Sequence, residues 1–361
     1  LVTLSGANVL SGSLYVSEGS LAIAGAGLLT SGTVIVRGAT TSLTLGNTAQ
    51  SVGAFRLVEG VVESGTLTAT SFGLESGMVS GVLNGNADVT KSTGGLVTLS
   101  GANMLGGSLY VTEGTLGVVG SGLLTSGTVT VSGVTTYLTL GNTAQTVGAF
   151  RLVEGVVEAG TLTATSFGLE SGLVSGVLNG DAVVTKSTGG VVTLSGANVL
   201  SGSLFVTEGT LAMTGVGRLT SGTVTVSGAS TYLTLGNTAQ SVGVFRLVEG
   251  FVESGTLGAS GFVVENGVIG AVLAGSGTLT KVGGGTVVLG GSNVYSNGTV
   301  LEAGVLSLGA SERLLDSGSL TLGGGTFDMG GYVETVGVLT LRGGRAVNGQ
   351  LVASAYNVEN G

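Results

Sequence analysis

The amino-acid sequence predicts an all-β fold, a parallel β-solenoid, and three observations predict it. The first is a long period. Leu1-Val-Thr-Leu-Ser-Gly-Ala-Asn8 returns at Leu96–Asn103 and at Val191–Asn198, and residues 1–95 match 96–190 at 78 of 95 positions. The second is strict alternation of polar and apolar residues inside each copy, the signature of strands with one buried face. The third is composition: 72 Gly, no Pro and a chain rich in Val, Leu and Thr. Repetition at a fixed period marks repeat architectures, in which each unit buries its core against its neighbours.

Each element follows from these features. Ser13-Leu-Tyr-Val-Ser, Thr33-Val-Ile-Val-Arg, Ser42-Leu-Thr-Leu-Gly and Thr66-Leu-Thr-Ala-Thr alternate and carry strand-favouring residues. Each run ends at Gly, Asn or Ser, as at Gly12, Gly19, Gly32 and Gly38, which suits short strands joined by tight corners. The absence of Pro fits, because Pro removes a ladder donor from an interior strand. The copies are 1–95, 96–190, 191–285 and a divergent partial copy, 286–361, in one continuous solenoid. In the last copy Phe327-Asp-Met-Gly-Gly331 aligns with Leu43-Thr-Leu-Gly-Asn47 after a one-residue deletion. Ninety-five residues divide into five coils of about nineteen or four of about twenty-four, with an expected spacing of about 4.8 Å between coils. Glu18, Arg37, Arg56 and Glu75 stand nineteen apart and favour five, in which case they form one column with Arg56 against Glu75.

A string of immunoglobulin-like sandwiches is the competing all-β reading, but no linker or change of composition interrupts the pattern at Gly95 or Gly190. A transmembrane barrel needs aromatic girdles, and aromatics are only 4 % of this chain. Disorder is excluded by the wealth of apolar residues and the low charge.

Composition also limits function. There is no His or Cys, so thiolate and imidazole metal sites and the Ser-His-Asp and Cys nucleophiles are ruled out. Eleven Lys and Arg against 20 Asp and Glu, a net charge of −9, count against a nucleic-acid surface. Glu18, Glu113 and Glu208 read as solvated corner residues, and Arg56, Arg151 and Arg246 as outward partners of Glu75, Glu170 and Glu265. Glu59 and Glu63 offer carboxylates to Ca²⁺, yet Asp88, Asp181, Asp316 and Asp328 do not cluster. An active site would break the repeat symmetry. Only Arg37, Arg218 and a scatter in the last copy, Glu312, Arg313, Asp316, Asp328, Arg342 and Arg345, do so. That last group is the candidate for enzymatic chemistry, with divergence of a terminal copy as the plainer account. The Thr66/Thr68/Thr70 row resembles an ice-binding array but is lost in the third copy, at Thr256-Leu-Gly-Ala-Ser260. No residue is assigned as catalytic, cofactor-binding or metal-ligating, and no cofactor is expected.

The copy boundaries carry a further pattern. Leu279-Thr-Lys-Val-Gly-Gly-Gly-Thr-Val-Val-Leu-Gly-Gly-Ser-Asn293 continues to Leu306, and Val89–Asn103 and Val184–Asn198 match it. This resembles the autotransporter-associated β-strand repeat, also called the passenger-associated transport repeat. Leu43–Gly53 resembles the accompanying segment of the same proteins. The resemblance implies a right-handed parallel β-helix and an extracellular or outer cell-surface protein of a Gram-negative-type bacterium. Copies 1 to 3 depart from the pattern by lacking the Tyr usual after the Asn, which only Tyr295 supplies.

The expectation is therefore a structural surface β-solenoid, a passenger stalk or an end-to-end filament subunit, and not an enzyme. The alternative is an adhesin whose outer face binds glycans or other cells; a polysaccharide-degrading β-helix ranks below both. Neither Leu1 nor Gly361 reads as a cap, so continuation in a longer chain or end-to-end self-association is the expected partnership, with a glycan or cell-surface ligand as the alternative and no nucleic acid.

Overall fold

The computed structural model describes residues 1–359, and they form short strands paired in parallel from coil to coil with no helix among them. The chain divides into two compact units, Leu1–Asn179 and Gly180–Gly361.

In the first unit one inward column runs through Leu14, Val34, Phe55, Phe72, Val89 and Leu109, each in register with the next. Five steps thus carry the chain from Leu14 to its equivalent Leu109, which fixes five coils for one sequence copy. The steps are unequal, 17 residues from Phe55 to Phe72 and 21 from Val34 to Phe55. A single nineteen-residue column of charges therefore does not form. Ile35 stands opposite Arg56, so Arg37 lies two residues further along its coil. The second unit repeats the column through Val184, Leu204, Val224, Phe245, Phe262, Leu279 and Thr299.

The alternation in sequence becomes alternation in burial. In Val34–Val36 and Val129–Val131 the outer two residues are buried and the middle one is not. Each buried Val, Leu or Phe of this kind contributes about 1.5–3 kcal/mol relative to exposure. Phe55 packs edge-on against Phe72 at 6.3 Å, and Phe150 against Phe167 at 6.2 Å.

Corners carry the special backbone. Gly46 and Asn47 both adopt φ of +57°, and Thr48 N donates to Leu45 O at 3.0 Å, closing a tight turn that needs two left-handed residues. At Gly77, φ is +118° and a Cβ would fall 2.1 Å from Gly60 O, so coil-to-coil contact at this corner tolerates only glycine.

Candidate functional site

The chemistry of the molecule is concentrated at two kinds of corner. The first is built on lysine. Leu57, Leu74, Lys91 and Val111 share one inward column, so the Lys91 stem replaces an aliphatic side chain in the stack. The side chain is fully buried, and its Nζ donates to Thr93 O and, at 2.8 Å, to Glu113 O. Lys186 does the same toward Thr188 O and Glu208 O. Lys281 donates to Val282 O at 2.6 Å, Gly283 O at 3.0 Å and Ala303 O at 3.2 Å. Burial pushes the Lys91 and Lys281 ammonium pKa values down; Glu113 and Glu75 in one case and Glu265 in the other oppose it. These lysines satisfy partly buried corner carbonyls, a structural task.

The second corner is an amide clamp. Asn103 Oδ1 accepts from Leu83 N at 2.9 Å, and its Nδ2 donates to Leu123 O at 2.8 Å. From the next coil Gln145 Oε1 accepts from Leu124 N at 2.8 Å, and its Nε2 donates to Gly122 O at 2.9 Å. The corner Gly122–Leu124 is thus gripped by one amide from each side. Asn198 and Gln240 grip Gly217–Leu219 in the same way.

In the fourth copy this clamp has different chemistry. Asn293 Nδ2 still donates to Arg313 O at 2.8 Å. The opposite jaw is Glu334, at the position of Gln50 when the last copy is aligned on Phe327. Its carboxylate accepts from Arg313 N at 2.8 Å and Leu314 N at 2.7 Å. Arg313 Nε donates to Ser311 O at 2.9 Å, within the same corner. Glu334 is fully buried, and burial pushes its pKa up to about 7; the two backbone N–H groups oppose the rise and Glu312 and Asp316 reinforce it. Glu312, with φ of +53°, accepts from Thr335 N at 3.0 Å and Thr335 Oγ1 at 3.1 Å. A second exchange lies nearby. Leu105 and Leu109 of copy 2 become Tyr295 and Thr299, whose hydroxyls bond each other at 2.6 Å inside the core. Burial holds the Tyr295 phenol well above its usual range.

The residues singled out from the sequence separate accordingly. Arg56, Arg151 and Arg246 pair with Glu75, Glu170 and Glu265 on the exposed face as expected, and Arg342 pairs with Glu359 at 2.8 Å as well. Such exposed pairs contribute about 0–1 kcal/mol. Glu18, Glu113 and Glu208 are exposed at corners. Of the scatter in the last copy, Glu312, Arg313 and Asp316 gather around Glu334. Asp328 caps Gly330 N and Asn348 Nδ2, both at 3.0 Å, and Arg345 donates to Thr326 Oγ1 at 3.0 Å. Among the described residues no group of three or more acidic side chains is placed to hold a metal ion.

Sequence reasoning missed the buried Lys, Asn, Gln and Glu334. The signal was present: Lys91, Asn103 and Gln145 recur once per copy at the inward phase of the alternation, where a solvated residue does not belong. Grooves of about 650 Å³ beside Asn198, Arg218 and Gln240, and about 460 Å³ beside Asn103 and Leu124, open at the clamp corners. The Gln240 amide at the larger one is already committed to Gly217, Leu219 and Thr238.

Parallel coils with buried corner lysines define a β-solenoid, and the family model of the passenger-associated transport repeat matches residues 2–23, 184–213 and 279–308. Each of the last two matches contains one of the buried lysines and the Gly-Gly corner that follows it. The chain is thus a β-solenoid that carries segments matching the passenger-associated transport repeat. It is also 30 % identical over 314 residues, 78 % of its length, to the adhesin BmaC autotransporter of Brucella suis biovar 1 (strain 1330). The matched region spans 9 % of that relative. No solved structure matches the chain.

Proposed function

We propose that the chain is a structural segment of a bacterial surface protein, an autotransporter-type passenger stalk exposed outside a Gram-negative cell. One observation supports this most: two of the three transport-repeat segments coincide with coils whose buried lysines tie one corner to the next, so a copy can be added without a unique partner. Stability in such a stack grows with the number of coils, which suits a spacer. The copies 1–95, 96–190, 191–285 and 286–361 are read as its units of duplication. End-to-end self-association is a further form of the same reading, and catalysis has no part in it. Antibody to this chain, applied to intact cells with and without external protease, tests the proposal. Labelling that protease removes is expected; signal confined to the cell interior would overturn it.

A second reading is adhesion, favoured by the printed name of the Brucella relative. Beads coated with the protein should then bind host cells or immobilised glycans saturably, whereas a stalk alone leaves them at background.

A further inference from the structure

The chain has eleven Lys and Arg side chains against a net charge of −9, and most of these cations are committed within the fold. Lys91, Lys186 and Lys281 are buried on corner carbonyls. Arg56, Arg151, Arg246 and Arg342 are in ion pairs. Arg313 is folded onto Ser311 O and Gly290 O, and Arg345 onto Thr326 Oγ1. Among the described residues the two that remain, Arg37 and Arg218, have no partner for the guanidinium. Arg37 lies outside both clamp-corner grooves, whereas Arg218 lines the larger, of about 650 Å³.

That groove breaks the repeat. Copies 1 and 2 carry Leu28 and Leu123 at the position of Arg218, and Ala26 and Ser121 at that of Val216. No Asp or Glu lines it. Two more of its polar side chains, the Asn237 amide and the Ser241 hydroxyl, are exposed and have no partner among the described residues. The Gly236–Asn237 turn, with φ of +57° and +59°, fixes the backbone at Asn237. Val199 and Val216, 64 % and 68 % exposed, add an aliphatic wall.

We propose that this groove binds one carboxylate-bearing sugar unit of a glycan, its carboxylate on Arg218, its hydroxyls on Asn237 and Ser241 and its C–H face on Val199 and Val216. The site rests on the adhesive reading above. A guanidinium presents a planar fork that takes a carboxylate with two parallel hydrogen bonds. An amide and a hydroxyl both donate and accept, as sugar hydroxyls do. The volume lies within the range of about 300–1,000 Å³ that small-ligand sites occupy. A long polyanion fits poorly, because one cation in an acidic chain makes no track of positive charge. An acidic peptide is the weaker fit too: grooves that seat peptides are aromatic or broadly apolar, and no aromatic residue lines this one.

NMR of the ¹⁵N-labelled full chain tests the site, with methyl galacturonide, a methyl sialoside, methyl galactoside and tetra-aspartate as probes. At least one acidic sugar should shift the amides of 215–219 and 237–241 saturably, and the tighter of the two names the acid. Methyl galactoside should bind about tenfold more weakly or worse, because it lacks the charged acceptor. Arg218→Leu restores the exposed leucine of copies 1 and 2 and should weaken binding by about tenfold or more. Asn237→Ala should weaken it about threefold, and Arg56→Ala not at all. No saturable shift with either acid, equal binding of methyl galactoside, tetra-aspartate binding as tightly as the sugars, or undiminished binding by Arg218→Leu would overturn the site. Coated beads separate it from the adhesive reading. Equal cell binding by native and Arg218→Leu beads, with no sugar shift, overturns the groove and leaves adhesion standing. No cell binding beside an intact sugar shift overturns adhesion alone.

Discussion

In the third copy the corner at Gly217–Leu219 is gripped by Gln240; in the fourth the equivalent corner at Glu312–Leu314 is gripped by Glu334. The left-handed residue moves from Gly215 in the third copy to Glu312 in the fourth, and the chemistry changes with it. A buried amide is indifferent to pH and can both donate and accept, so repeated copies can reuse it without adjustment. A buried carboxyl at that position has a neighbour changed with it: Glu312 stands where copy 3 has Gly217 and adds a strap to Thr335, while the arginine that follows, Arg218 or Arg313, is kept. Tyr295 and Thr299 show the same rule, since either hydroxyl alone in that leucine environment would be unsatisfied. Divergence in this fold proceeds through compensated groups of residues at one corner.

The comparison can be broken in several places. The largest effect is expected at the lysine corners, which recur near the end of each of the first three copies. Lys91→Met keeps the stem but strips two partly buried carbonyls of their donor, and should cost about 2–4 kcal/mol in denaturant unfolding. Lys281→Met should cost a similar amount, and a negligible loss at either site would remove the lysine from the account. Next come the glycines. Gly77→Ala forces a Cβ onto Gly60 O and should cost about 2–3 kcal/mol. Gly331→Ala in the divergent copy meets open space and should cost only about 1 kcal/mol, for its φ of +91° alone. Thermal melts of the two variants check that ordering. Tyr295→Phe leaves the Thr299 hydroxyl without its partner and should cost about 1 kcal/mol. Smallest is Arg56→Ala, within about 0.5 kcal/mol and vanishing at high salt, because the Arg56–Glu75 pair is exposed.

Much of this was legible in the sequence. Period-two alternation located the strands, because burial on one face writes itself into composition, and the 95-residue period identified a stack. The Arg56–Glu75 pair was legible from spacing. Coil length was not uniform, since corners such as 309–318 absorb insertions without disturbing the inward columns; equal spacing therefore misplaced Glu18 and Arg37. The buried polar residues were hidden for a different reason. A Lys or Gln in an alternating strand reads as solvent-facing unless its phase is counted, and phase shifts at every glycine corner. Glu334 is visible only once the deletion in the fourth copy is placed and the residue is matched to Gln50.

The measurement that bears most directly on the contrast between copies is the titration of Glu334 itself, followed by ¹³C NMR on protein labelled at the glutamate carboxyls. The resonance absent from Glu334→Gln should titrate near pH 7. A midpoint in the ordinary carboxylate range would contradict a buried, titrating jaw in the fourth copy and return that corner to the behaviour of copies 2 and 3.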